Sequence, residues 1–360
     1  MLEFIQEHKT VWENLSTTTK PIILYGMGNG ADKIIDWCEA HGVKVSGIFA
    51  TDEFVRYQSF RGLVVRKYID IIEEFGQDIL IVLAFASERP EVLARFQELA
   101  KLHETVAPNL PLFDERELVS QEWLAKYATQ LKQAYALLAD EQSRQVFSAT
   151  LNYKLSGKIS YLFDCATERR SDLQTLFTWS ANESYLDLGA YNGDTIQEFL
   201  ELAPRPKSII AVEPDRRNCK KLRAMAEKLE TERNITCEIH ECGIWSEKTT
   251  LAFSDSGGRQ SSFCSTPKNT VAVNTIYNIM KERAVSYIKM DVEGAEKQAL
   301  AGGKETISAD KPKLFIAAYH YDNDLWELPL MLHELVPEYK IYLRKHPYVP
   351  CWEINYLLKV

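Results

Sequence analysis

The sequence predicts an α/β protein with two parallel-sheet halves, the second of which closes in an antiparallel hairpin. Three observations predict this. Short apolar runs alternate with amphipathic helical stretches, the pattern of a doubly wound parallel sheet. Each half begins with a strand, a glycine turn and a helix. Two further strands, near Lys340 to Leu343 and Trp352 to Leu358, end the chain as the hairpin. A length of 360 residues fits this division, since domains run to roughly 100–200 residues.

The elements follow in order. Phe4, Ile5, Val11, Trp12 and Leu15 fall on one helical stripe, so the chain is expected to open with a helix. Strands are expected at Ile22 to Tyr25, Val43 to Phe49, Leu63 to Val65 and Ile79 to Ala86. Helices carry Ala31, Ile34, Ile35 and Cys38 inward, and then Val92, Leu93, Phe96 and Leu99. Pro108, Asn109 and Pro111 break the pattern and mark a boundary. Trp123, Leu124, Tyr127, Leu131, Ala134, Tyr135 and Leu138 then form an amphipathic stripe, followed by a helix from Glu141 to about Tyr153. The second half reads as strands at Tyr185 to Leu188, Ser208 to Val212, Cys237 to His240, Thr250 to Phe253, Ser286 to Met290 and Leu314 to Tyr319. The expected division is a Rossmann-like domain over 1–113, a helical connector over 114–160 and a larger domain over 161–360.

Composition excludes several function classes. The 42 basic and 51 acidic residues leave a net charge of −9, so a whole-chain nucleic-acid footprint is absent and no nucleic-acid partner is expected. The longest apolar run, Ile79 to Ala86, is too short to span a bilayer. The first ten residues hold Glu3, Glu7, His8 and Lys9 and lack a signal-peptide core, so a cytoplasmic location is expected. The cysteines are scattered and odd in number, which fits reduced thiols rather than disulfides or zinc.

The chemistry concentrates in the second half. Asp187, Leu188, Gly189, Ala190, Tyr191, Asn192 and Gly193 follow a strand and open a helix, so the backbone can approach a ligand closely. Glu213 and Pro214 end the next strand, where a carboxylate can accept hydrogen bonds from ribose hydroxyls. That spacing fits any nucleoside-bearing cofactor, NAD included. Asp187 tilts the choice toward S-adenosylmethionine, because a carboxylate suits an ammonium and a sulfonium and would repel a pyrophosphate. Tyr191 also stands where the dinucleotide fingerprint has its middle glycine. Asp291 ends a buried strand, with Glu293 and Glu296 close behind, and His320 ends the next one. The Glu241-Cys242-Gly243 turn should lie near an adenine, with Cys242 as packing. The polar stretch from Ser254 to Ser262 could cover a cofactor or be plain solvated loop.

These segments resemble the FkbM family of methyltransferases. The matching stretches are Tyr185 to Thr195, Val212 to Asp215, Ile288 to Glu296, Ala299 to Gly303, Lys311-Pro312, Tyr319-His320 with Asp324 to Pro329, and Tyr339 to Arg344, in family order from about Asp140 onward. The family often has an aspartate where Tyr277 stands. The resemblance implies a class I methyltransferase fold, with a seven-stranded Rossmann-like sheet preceded by the smaller doubly wound domain. It implies S-adenosylmethionine-dependent O-methylation, often of sugars or polyketide-like products.

On this reading His320 is expected as general base, oriented by Asp291. One competing version gives the base role to Asp291, and another places a divalent cation between Asp291, His320 and Glu293. The metal-free version ranks first. The expected partner is a small-molecule or carbohydrate acceptor, and a homo-oligomer is left open. In the first half, Gly26 to Gly30 with Asp52 looks like small Rossmann-like domains that recognise a nucleotide-sugar, or else is a packing module. The rival reading of the whole chain is a two-domain nucleotide-binding protein or an NAD(P)-dependent oxidoreductase.

Overall fold

The computed structural model describes residues 2–110, 118–254, 262–263 and 269–360. The chain forms two compact units. The first holds residues 1–132, 141–167 and 345–353, and the second holds 133–140, 168–344 and 354–360. Of the stretch expected as a connector, residues 133–140 therefore go with the second unit and 141–160 with the first.

The first unit is built on β1 (Ile22–Tyr25), β2 (Val45–Phe49), β3 (Ser59–Phe60), β4 (Leu63–Arg66), β5 (Leu80–Leu83) and β6 (Glu104–Val106), in the order β3-β4-β2-β1-β5-β6. Only the edge pair β3 and β4 is antiparallel; the other neighbours run parallel. Central β1 and β5 are buried along their whole length, which is why they read as unbroken apolar runs.

The opening helix is shorter than its apolar stripe. It spans Val11–Thr17, because Thr10 and Glu13 form a reciprocal capping box. The Glu13 amide donates to Thr10 Oγ1 at 3.1 Å and the Thr10 amide to Glu13 Oε2 at 2.6 Å. Phe4 and Ile5 precede the cap. The stripe from Trp123 to Leu138 likewise folds as two helices, Gln121–Lys126 and Ala128–Ala136, separated at Tyr127.

The second unit contributes β7 (Ser184–Leu188), β8 (Ser208–Val212), β9 (Cys237–His240), β10 (Gly243–Ile244), β11 (Thr249–Ser254), β12 (Ser262–Phe263), β13 (Asn269–Asn274), β14 (Tyr287–Met290), β15 (Lys313–Ala317), β16 (Lys340–Lys345) and β17 (Ile354–Lys359). Strands β10 to β13 make a small separate sheet. The rest form one seven-stranded sheet in the order β16-β17-β15-β14-β7-β8-β9. Strands β9, β8, β7, β14 and β15 run parallel, and β17 is antiparallel to β15 with Leu314 opposite Leu358. This is the class I methyltransferase order, with the hairpin inserted where the sequence led us to expect it. Chain order reverses between β7 and β14, and ligands of open α/β sheets bind at the carboxyl ends of strands at such a point.

One face of this sheet is aromatic. Tyr185 and Tyr287 stack at 4.9 Å and Phe199, from helix Asp194–Leu202, packs on Tyr185 at 4.3 Å. Cys38, Cys165, Cys219, Cys237 and Cys242 are free thiols. Among the described residues no helix is long and apolar enough to cross a membrane.

Candidate active site

The carboxyl ends of β7, β8, β9, β14 and β15 carry the residues singled out from the sequence. The turn after β7 is held tightly. Gly189 and Ala190 both donate their amides to Val212 O, at 3.0 and 3.1 Å. Gly189 has φ +77°, and an added Cβ would lie 1.9 Å from the Asp291 carbonyl oxygen. Only glycine permits this approach of two strand ends. Tyr191 also takes a left-handed conformation, at φ +47°. Its amide donates to Glu213 Oε2 at 2.9 Å, while Asp215 donates to Oε1 at 2.8 Å. Burial pushes the Glu213 carboxyl above its ordinary range, against these two amides, which pull it down. Asn192 Oδ1 accepts from the Asp194 amide at 3.2 Å, and Gly193 caps helix Asp194–Leu202 at φ +90°.

Asp187 is enclosed. Its side chain has no exposure, Oδ2 accepts from Thr195 Oγ1 at 2.5 Å, and Oδ1 lies 3.4 Å from Lys289 Nζ. The cation beside Asp187 in this structure is thus the chain's own. Cys242 follows β9 with its thiol pushed up to about 11 by burial, which disfavours the thiolate. The polar stretch after Ser254 lies, over 255–261, outside the described residues, as does Cys264.

Asp291 and His320 meet, as their strand-end positions led us to expect, but in a more crowded setting. His320 Nε2 is 3.5 Å from Asp291 Oδ1 and 3.4 Å from Glu293 Oε2, while Nδ1 is 3.0 Å from Glu296 Oε1. The imidazole is only 1% exposed, whereas Asp291 and Glu293 are 31% and 35% exposed. Burial favours the neutral ring, but Glu296, Glu293 and Asp291 outweigh it and raise the His320 pKa well above 6.5. An imidazolium has no lone pair with which to take a proton. Tyr319 donates its hydroxyl to both Asp291 oxygens, at 3.1 and 3.2 Å. Glu296 Oε1 also accepts the Val292 amide at 2.9 Å, which fixes the turn of this loop.

Four contributors were not singled out from the sequence: Lys289, Thr195, Tyr319 and Asp324. A lysine inside the otherwise apolar Tyr287–Met290 was the visible signal for the first. Asp324 starts helix Asp324–Leu335, is buried, and accepts the Tyr321 amide at 2.8 Å. Burial and Glu296 push its carboxyl up to about 7 against the pull of His320.

Asp324 and His320 are both shifted upward, so each binds its proton more tightly folded than unfolded. Their stabilising contribution is whole below the unfolded values of 3.8 and 6.5 and is lost as pH rises through the folded ones. Asp324→Asn keeps an acceptor for Tyr321 and cannot ionise. It should gain melting temperature relative to the wild type as pH rises from about 4 to 7. Parallel melting curves across that range would show that Asp324 does not titrate there.

Residues 187–349 match the family model of the methyltransferase FkbM domain. Methyltransferase FkbM from Methylobacillus flagellatus KT aligns over 97% of this chain and 92% of its own, at 22% identity and a TM-score of 0.72. Precorrin-6y C5,15-methyltransferase from Geobacter metallireducens GS-15 covers 52% of this chain and 82% of its own, at 13% identity and a TM-score of 0.32. Aeropyrum pernix fibrillarin, in complex with natively bound S-adenosyl-L-methionine, covers 53% and 73%, at 14% identity and a TM-score of 0.32. No curated protein matches the sequence. The matched segment spans the glycine turn, the Asp291 loop and His320; over these residues the chain is similar to methyltransferase FkbM domains, which makes it an S-adenosylmethionine-dependent methyltransferase.

Proposed function

We propose that the enzyme methylates a hydroxyl of a sugar, a polysaccharide precursor or a related natural product, with Asp291 taking the hydroxyl proton. The observation that carries this reading is the position of Asp291. Its half-exposed carboxylate stands at the switch point, against the Gly189 turn, and receives the Tyr319 hydroxyl. A sugar hydroxyl is a poor nucleophile, so a base must remove its proton as the new bond forms. His320, held as imidazolium, keeps Asp291 and Glu293 in place and offsets their repulsion. The acceptor class itself comes from the family resemblance.

The residues present suit S-adenosylmethionine, which would supply an electrophilic methyl group. The turn Gly189 to Gly193 lies at the sheet edge, half-buried at Gly189, Tyr191 and Asn192. Glu213, with Pro214 behind it, uses one lone pair of each oxygen on amides and keeps others for ribose hydroxyls. Cys242 would pack near the base. Asp187 shapes the turn from beneath.

Asp291, Glu296 and His320 offer atoms within 4.8 Å of one another, a spacing that a cation could also use. A charged His320 opposes a cation here, and a metal would have to displace its proton. Methyl transfer is therefore expected to survive chelation, and loss restored by Mg²⁺ or Mn²⁺ would reverse that. In titrations, S-adenosylhomocysteine should bind in the micromolar range. Binding of NAD(P) with none of S-adenosylhomocysteine would overturn the proposal. The same titration with a nucleotide-sugar tests the first unit, where Gly28 at the start of helix Asn29–Ala40 keeps open space beside its Cα.

A further inference from the structure

Lys289 lies on central strand β14, directly beside Asp187 of β7 in parallel register. One pair earlier on the same face, Tyr287 and Tyr185 stack. A buried aromatic layer thus gives way to a buried charged pair just beneath the cofactor turn. Lysine and aspartate are 4% and 0% exposed. Such a pair adds little to stability over an apolar pair of the same volume, because both charges must leave water. Packing alone therefore gives no reason for it.

Its hydrogen bonds give one. Lys289 Nζ donates to Gly189 O at 2.6 Å. The amide of the same peptide unit, on Ala190, donates to Val212 O at 3.1 Å. The Gly189–Ala190 peptide is thereby gripped at both ends, by β14 on one side and β8 on the other. Asp187 completes the arrangement. It holds the ammonium in place through Oδ1 and accepts from Thr195, in the first turn of helix Asp194–Leu202, through Oδ2. Burial would lower the Lys289 pKa, but Asp187 and Asp291 keep it above the ordinary lysine value, so the donor stays charged.

We propose that Lys289 is a positioning residue for methyl transfer, whose ammonium fixes the Gly189–Ala190 peptide of the cofactor turn, with Asp187 as its counter-ion rather than a ligand of the cofactor's own cation. The inference rests on the cofactor reading given above. It makes the affinity for cofactor depend on a side chain buried beneath the turn.

The test separates folding from positioning. Lys289→Met leaves Asp187 buried without its cation, and its melting temperature should fall. Lys289→Met combined with Asp187→Leu replaces the pair by apolar residues of similar size, and the melting temperature should return. S-adenosylhomocysteine affinity, measured by calorimetry, should stay about tenfold or more below wild type in the double variant, the usual effect of losing one charge-assisted hydrogen bond. A double variant with wild-type affinity overturns the inference. So does one that stays unfolded, since the pair would then serve the fold itself. Absence of binding in the wild type would instead overturn the cofactor reading, and this inference with it.

Discussion

Gly189→Ala is expected to weaken cofactor binding by about 100-fold or more while leaving the first unit folded. Two costs fall on one methyl group. The left-handed backbone at φ +77° disfavours any side chain, at about 1–3 kcal/mol. The new Cβ would also sit 1.9 Å from Asp291 O, and overpacking of that kind adds about 1–3 kcal/mol. The obstacle is backbone and cannot swing aside. Asp291 is itself held by its amide, which donates to Leu188 O at 3.0 Å. Relief requires β7 and β14 to part at the point where the turn and the Asp291 carboxylate must align. A loss of about 100-fold or more in S-adenosylhomocysteine affinity follows, each tenfold corresponding to about 1.4 kcal/mol. Affinity within about twofold of wild type would mean that the turn does not carry the cofactor.

The second large effect separates Asp291 from His320. Asp291→Asn keeps an acceptor for Tyr319 and loses the base. Methyl transfer from labelled S-adenosylmethionine should fall about 10²–10⁴-fold, with cofactor affinity near wild type. His320→Gln should act differently. It removes the cation shared by Asp291, Glu293 and Glu296, which lie 3.0 to 3.5 Å from the ring. Breaking a buried pair in this way costs about 3–5 kcal/mol, so the loss should appear first in the melting temperature. The reverse pattern, with a stable His320→Gln that is inactive and an Asp291→Asn that turns over, would return the base role to His320.

Much of this fold was legible in the sequence because its strands are buried on both faces. Ser208–Val212 and Ile22–Tyr25 read as apolar runs and fold as strands with those bounds. Short strands escaped. Ser59–Phe60 and Gly243–Ile244 have two residues each, too few to show a period. Helix starts fixed by a capping box, as at Thr10, depend on two side chains rather than on the apolar stripe, so the stripe overshot.

In the site, position along strands was enough to bring Asp291 and His320 together. Their protonation was not legible, because it depends on Glu296 reaching back from helix Glu296–Gly302 into the same buried space. Asp187 illustrates the same limit. Its place before the turn is evident from sequence, but the cation that occupies its neighbourhood comes from a strand about a hundred residues later, a register that only the assembled sheet defines.

The division of the chain has a practical consequence for anyone wishing to excise the methyltransferase sheet. Residues 133–140 precede the long first-unit stretch 141–167, yet they belong with the sheet. Ala139 donates its amide to Ile341 O at 2.8 Å, and Asp140 pairs with the buried Arg344 at 2.6 Å. Residues 345–353, from the last residue of β16 to the start of β17, belong to the first unit. A fragment beginning at residue 168 would thus lose Asp140, keep Asp172 as the remaining anion at 3.2 Å from Arg344, and still trail residues assigned to the first unit. No single cut separates the two units, because each is assembled from stretches that alternate along the chain.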